Sequence, residues 1–313
     1  MSQPDSWERE VLEKIAMQAL QEQRKSRNWN IFFKSLTFIF LFLLLFKFLG
    51  WFNKVDVHHG KHTALVDLHG VISANSDASA DNIIHGLDAA FKNKNTKGVV
   101  LRINSPGGSP VQASYINKEI WRLRAKYPNI PIYAVVEDIC ASGGYYVAVA
   151  TDKIFVNPSS LVGSIGVLMD GFGFTGTLQK LGIERRLLTA GKNKGFLDPF
   201  SPMEPAQKQY ALSMLEEIHQ NFINAVRRGR GSRLKVNKNT FSGLVWTGAK
   251  SIQLGLADAV GSTDYVARRI IKADRIVNYT PHQGWAERFA RRFGAAATER
   301  VYTLVRSAGL QLY

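Results

Sequence analysis

Two stretches of the chain combine an apolar run, a glycine pair and a hydroxyl side chain, which is what nucleophilic attack on a carbonyl asks for. In PIYAVVEDICASGGYYVAVATD an apolar strand pattern ends and a helical pattern begins at Ser142-Gly143-Gly144. A serine there projects from a helix start, where backbone N–H groups stabilise developing negative charge. The bland alternative is a plain N-cap, the commonest use of serine at that position. The strict G-x-S-x-G elbow is not met, because Cys140 holds its first position. In GVVLRINSPGGSPVQASYI a strand pattern leads into Asn104-Ser105-Pro106-Gly107-Gly108, and Ser109-Pro110 suits the cap and first turn of a helix. Free amides at Gly107 and Gly108 would form an oxyanion hole, although Pro-Gly-Gly alone serves as a tight turn in any fold.

A serine nucleophile needs a base. None of the seven histidines lies in a comparable glycine-bounded turn, and His58, His59 and His62 share one polar stretch. Lysine is the other choice. Burial must lower its ordinary pKa near 10.4 by about 2–3 units before a usable free amine exists at neutral pH. LLTAGKNKGFLDPFSPME offers Lys192 and Lys194 in a turn, where a solvated loop lysine is the bland alternative.

Taken together, five motifs in order carry a resemblance. They are Asn-Ser-Pro-Gly-Gly (104–108), Ala-Ser-Gly-Gly-Tyr-Tyr (141–146), Val-Gly-Ser-Ile-Gly-Val (162–167), Gly-x-x-Lys with a later Pro-Phe (191–200), and Trp-Thr-Gly with a later Gly-Leu-Ala-Asp (246–258). Over roughly residues 62–275 the chain resembles the bacterial signal peptide peptidases, also called protease IV. The resemblance implies Ser142 as nucleophile and Lys194 as general base, with Lys192 the weaker choice. It implies Ser164 as the hydroxyl that orients the lysine amine, and Gly143 with Gly107 or Gly108 as oxyanion donors. It further implies an α/β fold of the ClpP/crotonase type, a spiral of ββα units. Homo-oligomers, with each Ser-Lys dyad completed either within one chain or across neighbouring subunits, peptide substrates left from signal peptides, and no metal or cofactor complete the expectation.

The elements that must position these groups are legible in part. Apolar runs at 64–72, 98–103, 131–136, 153–157 and 185–189 alternate with helical patterns, which predicts βα units. The pattern over 203–228 predicts a helix, with Ala211, Met214, Leu215, Ile218, Phe222 and Val226 on its core face. Composition excludes wholesale disorder, collagen-like and disulfide-scaffold classes, since the chain is 45% hydrophobic, 21% charged and holds 10 Pro and 1 Cys. A formal net charge of +15 predicts an anionic partner, either nucleic acid or a phospholipid surface.

Residues 31–52 hold sixteen Ile, Leu or Phe. As a helix they span about 33 Å at 1.5 Å per residue, long enough to cross a bilayer. The basic residues Lys14, Arg24, Lys25 and Arg27 precede this run, against Lys54 and Lys61 after it. That bias predicts a single-pass anchor in a bacterial inner membrane, with residues 1–30 cytoplasmic and the rest periplasmic. Residues 7–25 predict a solvated or membrane-grazing helix. A linker at 53–63, a peptidase domain at 64–280 and a basic amphipathic tail at 281–313 follow.

Two motif matches are set aside. Gly171-Phe172-Gly173-Phe174-Thr175-Gly176 fits G-x-G-x-x-G, but no acidic residue lies at the distance a dinucleotide site requires. Ser232-Arg233-Leu234-Lys235 fits S-x-x-K without the partner motifs of penicillin-binding enzymes. The surrounding run RRGRGSRLK lacks aromatic interleaving, so no nucleic-acid partner is expected. The rival functions are a crotonase-type acyl-CoA enzyme, which needs a catalytic carboxylate, and a catalytically degenerate membrane scaffold.

Overall fold

A computed structural model describes residues 6–48 and 60–281. These fall into two units, the first holding the N-terminal helix and the second spanning His58–Gln283. The first is one continuous helix, α1 (Ser6–Phe48), where the sequence pattern predicts a polar helix and a separate span. Nothing between residues 25 and 31 is Gly or Pro, so no residue there breaks the backbone hydrogen-bond ladder. Glu13–Leu45 within it is long and apolar enough to cross a membrane, with its side chains uncovered by protein. The expected span residues 49–52, linker residues 53–59 and tail residues 282–313 lie outside the described residues.

The second unit is a mixed α/β sheet. Its strands are β1 (His62–His69), β2 (Thr96–Ser105), β3 (Ile132–Ala141), β4 (Lys153–Val156), β5 (Leu161–Gly163), β6 (Val245–Thr247), β7 (Ala259–Val260) and β8 (Ile276–Asn278). The order is β6-β5-β3-β2-β1-β8, parallel except for β5 against β6. Strand β3 pairs with β4 through Tyr133–Val135 and with β5 through Ile139–Ala141, so the sheet forks midway along β3, and β7 extends the β4 branch. Helices α2 (Ala80–Lys92), α3 (Pro110–Lys126), α4 (Gly143–Ala148), α5 (Thr175–Lys180), α6 (Pro205–Arg230) and α7 (Gly248–Gln253) connect them.

The parallel strands are near-continuous apolar runs because both faces are covered along part of their length. On one face Leu68, Ile103 and Cys140 pack with Ile83 and Leu87 of α2, Ile116 and Ile120 of α3 and Tyr145 of α4. On the other, Leu65, Val100, Val135 and Phe155 bury against Val266 in a wide helical turn at Val266–Ile271. The start of α3 follows the sequence reading. Ser109 caps it by accepting the Gln112 N–H, and Pro110 takes the first helical turn.

Two readings are corrected. Residues 185–189 form no strand: they sit in a largely exposed arm, 168–204, where no neighbouring strand offers a ladder and Leu188 is 96% exposed. The apolar stripe of α6 is core at Ala211 and again in its second half, but not continuously. Phe222, Ile223 and Val226 are buried, but Ile218 is exposed and Met214 and Leu215 are half-buried. The first half of α6 lies along the arm instead, and together they enclose a cavity of about 940 Å³ lined by Met169, Phe172, Leu187, Lys192, Leu212 and Leu215 among others.

Candidate active site

Strand β3 ends at Ala141, and the next residue, Ser142, turns sharply into α4 with φ 51° and ψ −122°. Positive φ is uncommon outside glycine and costs about 1–3 kcal/mol, so surrounding structure must impose it. That structure is visible. The Ser142 N–H donates to the Gly163 carbonyl at 2.9 Å, and its own carbonyl accepts from the Tyr146 N–H at 2.9 Å. The N-cap alternative fails, because the Ser142 hydroxyl makes no capping bond.

Against this serine lies the Gly107-Gly108 turn, with φ 101° and 144°. A methyl group on Gly107 would stand 2.6 Å from the Gly143 nitrogen and 2.7 Å from Ser142 Cβ; one on Gly143 would stand 3.3 Å from the Gly108 nitrogen. The approach is therefore backbone to backbone. Accounting for the amides separates the two glycines. The Gly107 N–H donates to Ser105 Oγ at 3.1 Å, Pro106 has no N–H, and the Ser109 N–H donates to the Ile72 carbonyl at 2.8 Å. Gly108 N–H alone in this turn has no partner among the described residues, and the adjacent Gly143 N–H is open too. Two free donors beside a free hydroxyl suit an oxyanion.

Ser164 stands next door. Ala141 pairs with Gly163 across β3 and β5, so Ser142 and Ser164 leave the sheet side by side, Ser164 also with positive φ (50°). Its N–H donates to the Leu244 carbonyl at 2.8 Å, and the Ile165 carbonyl accepts from the Gly243 N–H at 3.1 Å and from Nε2 of His219 at 3.2 Å. Trp246 covers Gly163, and its buried indole N–H has no partner among the described residues.

Lysine is where the geometry departs from a complete dyad. Lys192 and Lys194 are both exposed on the arm, and neither amine makes a hydrogen bond or ion pair among the described residues. Lys194 contributes only its backbone N–H, which closes a turn on the Gly191 carbonyl at 3.0 Å. Ser142, Ser164, Gly108 and Gly143 are thus brought together within one chain, Gly107 shapes the turn, and neither lysine joins them. The large cavity lies under the arm and includes none of these groups except Lys192.

Residues 124–276 match the model of peptidase family S49. That segment is an S49 peptidase domain. Similar proteins include one named Na(+)/H(+) antiporter NhaA from Brucella melitensis, 43% identical over 202 residues, which are 63% of this chain and 27% of that one. Protease 4 of Haemophilus influenzae is 30% identical over 221 residues, 69% of this chain and 35% of that one. The chloroplastic serine protease SPPA of Arabidopsis thaliana is 30% identical over 183 residues, 58% and 27% of the two chains. The chain therefore spans about a quarter to a third of the length of these relatives.

Within the S49 domain, α4 is anchored from below. Tyr145 is fully buried, and its hydroxyl donates to the Leu256 carbonyl at 2.8 Å. Burial pushes that phenol far above its ordinary range, as it does the neighbouring Cys140 thiol, so neither ionises near neutrality. The Gly255–Asp258 run that receives Tyr145 is held by Arg230, 1% exposed. Its Nε donates to the Gly255 carbonyl at 2.8 Å, and its two terminal nitrogens grip Asp258 at 2.8 and 3.0 Å. Sequence reasoning noted Gly-Leu-Ala-Asp without giving it this role, and it set aside His219, which only the fold brings to the Ser164 turn.

Proposed function

We propose that the chain is a membrane-anchored serine endopeptidase acting through a Ser142–Lys194 dyad. The observation that carries this reading is the strained, uncapped Ser142 beside the two open amides of Gly108 and Gly143. Ser142 Oγ attacks the peptide carbonyl carbon while Lys194 Nζ takes its proton, and the two amides hold the resulting oxyanion. The intermediate collapses, Lys194 returns the proton to the departing amine, and an acyl-enzyme remains. Lys194 then deprotonates a water that attacks the ester, and the second collapse restores the Ser142 hydroxyl. Ser164 orients the amine.

A second copy of the chain supplies Lys194 in this reading. The arm carrying it exposes Leu168, Phe172, Leu181 and Leu188 to water, and covering them on a neighbour would also strip water from the amine. The forked sheet suits the ClpP/crotonase spiral. The apolar α1 supports a membrane anchor; in this reading the membrane is a bacterial inner membrane, the domain is periplasmic, and signal-peptide remnants and other unstructured apolar peptides are the substrates. The name antiporter belongs to a relative matched over 27% of its length, and this chain has one candidate span among the described residues, so transport is not part of the proposal.

The test uses full-length Ser142→Ala and Lys194→Ala variants, each expected inactive, co-expressed with different tags. Dyads built between chains restore about a quarter of wild-type turnover in the mixed assembly, because each site draws at random on two chains. Activity surviving in Ser142→Ala refutes the peptidase reading; no recovery in the mixture confines the dyad to one chain.

A further inference from the structure

The geometry points to Ser105 as a positioning residue that dedicates the Gly108 N–H to the oxyanion. This rests on the peptidase reading above. Ser105 is the last residue of β2 and is fully buried. Its hydroxyl donates to the Gly70 carbonyl at 2.6 Å, and the same oxygen accepts the Gly107 N–H at 3.1 Å. One hydroxyl hydrogen is thereby spent on Gly70, and a lone pair is spent on Gly107, so the side chain has a single rotamer that satisfies both groups.

The consequence reaches both donors. With its N–H engaged, Gly107 cannot compete for the substrate oxygen, and the peptide plane that follows is fixed from the other side by the Ile72 N–H, which donates to the Gly107 carbonyl at 2.8 Å. The Ser109 N–H is likewise taken by Ile72. Gly108 N–H is what remains. Ser105 also touches the second donor's helix: a methyl on Gly144 would stand 3.0 Å from the Ser105 carbonyl oxygen and 3.3 Å from its Cβ. One small hydroxyl residue therefore lies under the turn that carries Gly108 and against the helix that starts at Gly143. Alanine would preserve that packing while releasing Gly70 and Gly107.

The experiment compares full-length wild type, Ser105→Ala and Ser105→Thr in peptide hydrolysis, in inhibition by a peptide aldehyde, and in binding of the matching peptide amide. The aldehyde forms a hemiacetal with Ser142 whose oxyanion needs the amides; the amide ligand binds without one. Ser105→Ala should lower kcat about tenfold or more with KM within about threefold, and should weaken the aldehyde by the same factor while leaving the amide unchanged. Ser105→Thr, which keeps the hydroxyl, should hold the wild-type ratio of aldehyde to amide affinity, a ratio that does not depend on how much of a sample is folded. An unchanged ratio in Ser105→Ala, or equal weakening of both ligands, overturns the proposal, and so does a reduced ratio in folded Ser105→Thr. A wild type that the aldehyde fails to inhibit sinks the peptidase reading instead.

Discussion

Replacing Arg230 by Met tests whether the floor beneath α4 is held by charge. The guanidinium makes three bonds, to the Gly255 carbonyl and twice to Asp258, at 2.8–3.0 Å with almost no exposure. Methionine fills similar volume but leaves that carbonyl unpaired and the carboxylate short of two donors. Breaking a buried pair from one side costs about 3–5 kcal/mol. Asp258 keeps the Ile154 N–H at 2.7 Å and Arg233 at 3.1 Å, which argues for the low end, about 3 kcal/mol. For a unit of this size each kcal/mol moves Tm by about 2–4 °C, so the expected loss is about 6–12 °C by circular dichroism of the full chain at pH 7. Acid adds a second reading. Burial works to raise the Asp258 carboxyl, but the Arg230 hydrogen bond and charge, the Ile154 N–H and Arg233 outweigh it and hold it below its ordinary value. A depressed folded pKa gives stability that is present above the unfolded value near 3.9 and lost as pH falls through the folded one. The gap between wild type and Arg230→Met should therefore narrow from pH 7 to about pH 3. A Tm shift under about 2 °C at pH 7, or a gap independent of pH, would refute the reasoning.

Two further substitutions probe the site. Gly108→Ala places a methyl 2.2 Å from the Ile72 carbonyl oxygen at φ 144°, forcing open two backbone bonds of about 1 kcal/mol each and adding about 1–2 kcal/mol of strain. Turnover should vanish and Tm fall by about 6 °C or more, whereas Gly173→Ala, with nothing within 4 Å, should leave both unchanged; equal tolerance of the two would contradict the packing described. His219→Phe removes the donor to the Ile165 carbonyl and should cut turnover severalfold, with His219→Gln restoring most of it; full activity in the Phe variant means the Ser164 turn holds itself.

The four long parallel strands were legible because each is a run of apolar residues bounded by turn signals. Strands β5 to β8 have two or three residues apiece, too few to show any period, and they exist only through register with distant partners such as Val162 with Trp246. Residues 185–189 show the converse: strand-like composition without a neighbour to pair with. At the site, Ser142 and the Pro-Gly-Gly turn declared themselves as segments, since glycine and a hydroxyl at a strand end are local facts. The division of labour between Gly107 and Gly108 is not local. It follows from Ile72 and from where a buried hydroxyl finds its acceptor. His219 was unreadable for the same reason, lying 54 positions from the carbonyl it meets on a helix whose pattern reports only burial.

The oxyanion hole and the lysine base of the proposed site obey opposite physics, and that contrast bears on the chain's layout. An oxyanion hole works by preorganisation, so its donors belong where every neighbouring amide is already committed, and the 105–109 turn meets that demand with one opening left. A lysine base works by desolvation, which a small exposed arm with Phe172 81% exposed does not provide. Placing the amine on the arm makes its dehydration depend on whatever covers Leu168, Phe172 and Leu188. In the proposed assembly the same burial that joins two chains brings the Lys194 amine to Ser142, so an unassembled chain carries a formed nucleophile site with no lysine beside it. On that proposal hydrolysis is restricted to the assembled particle.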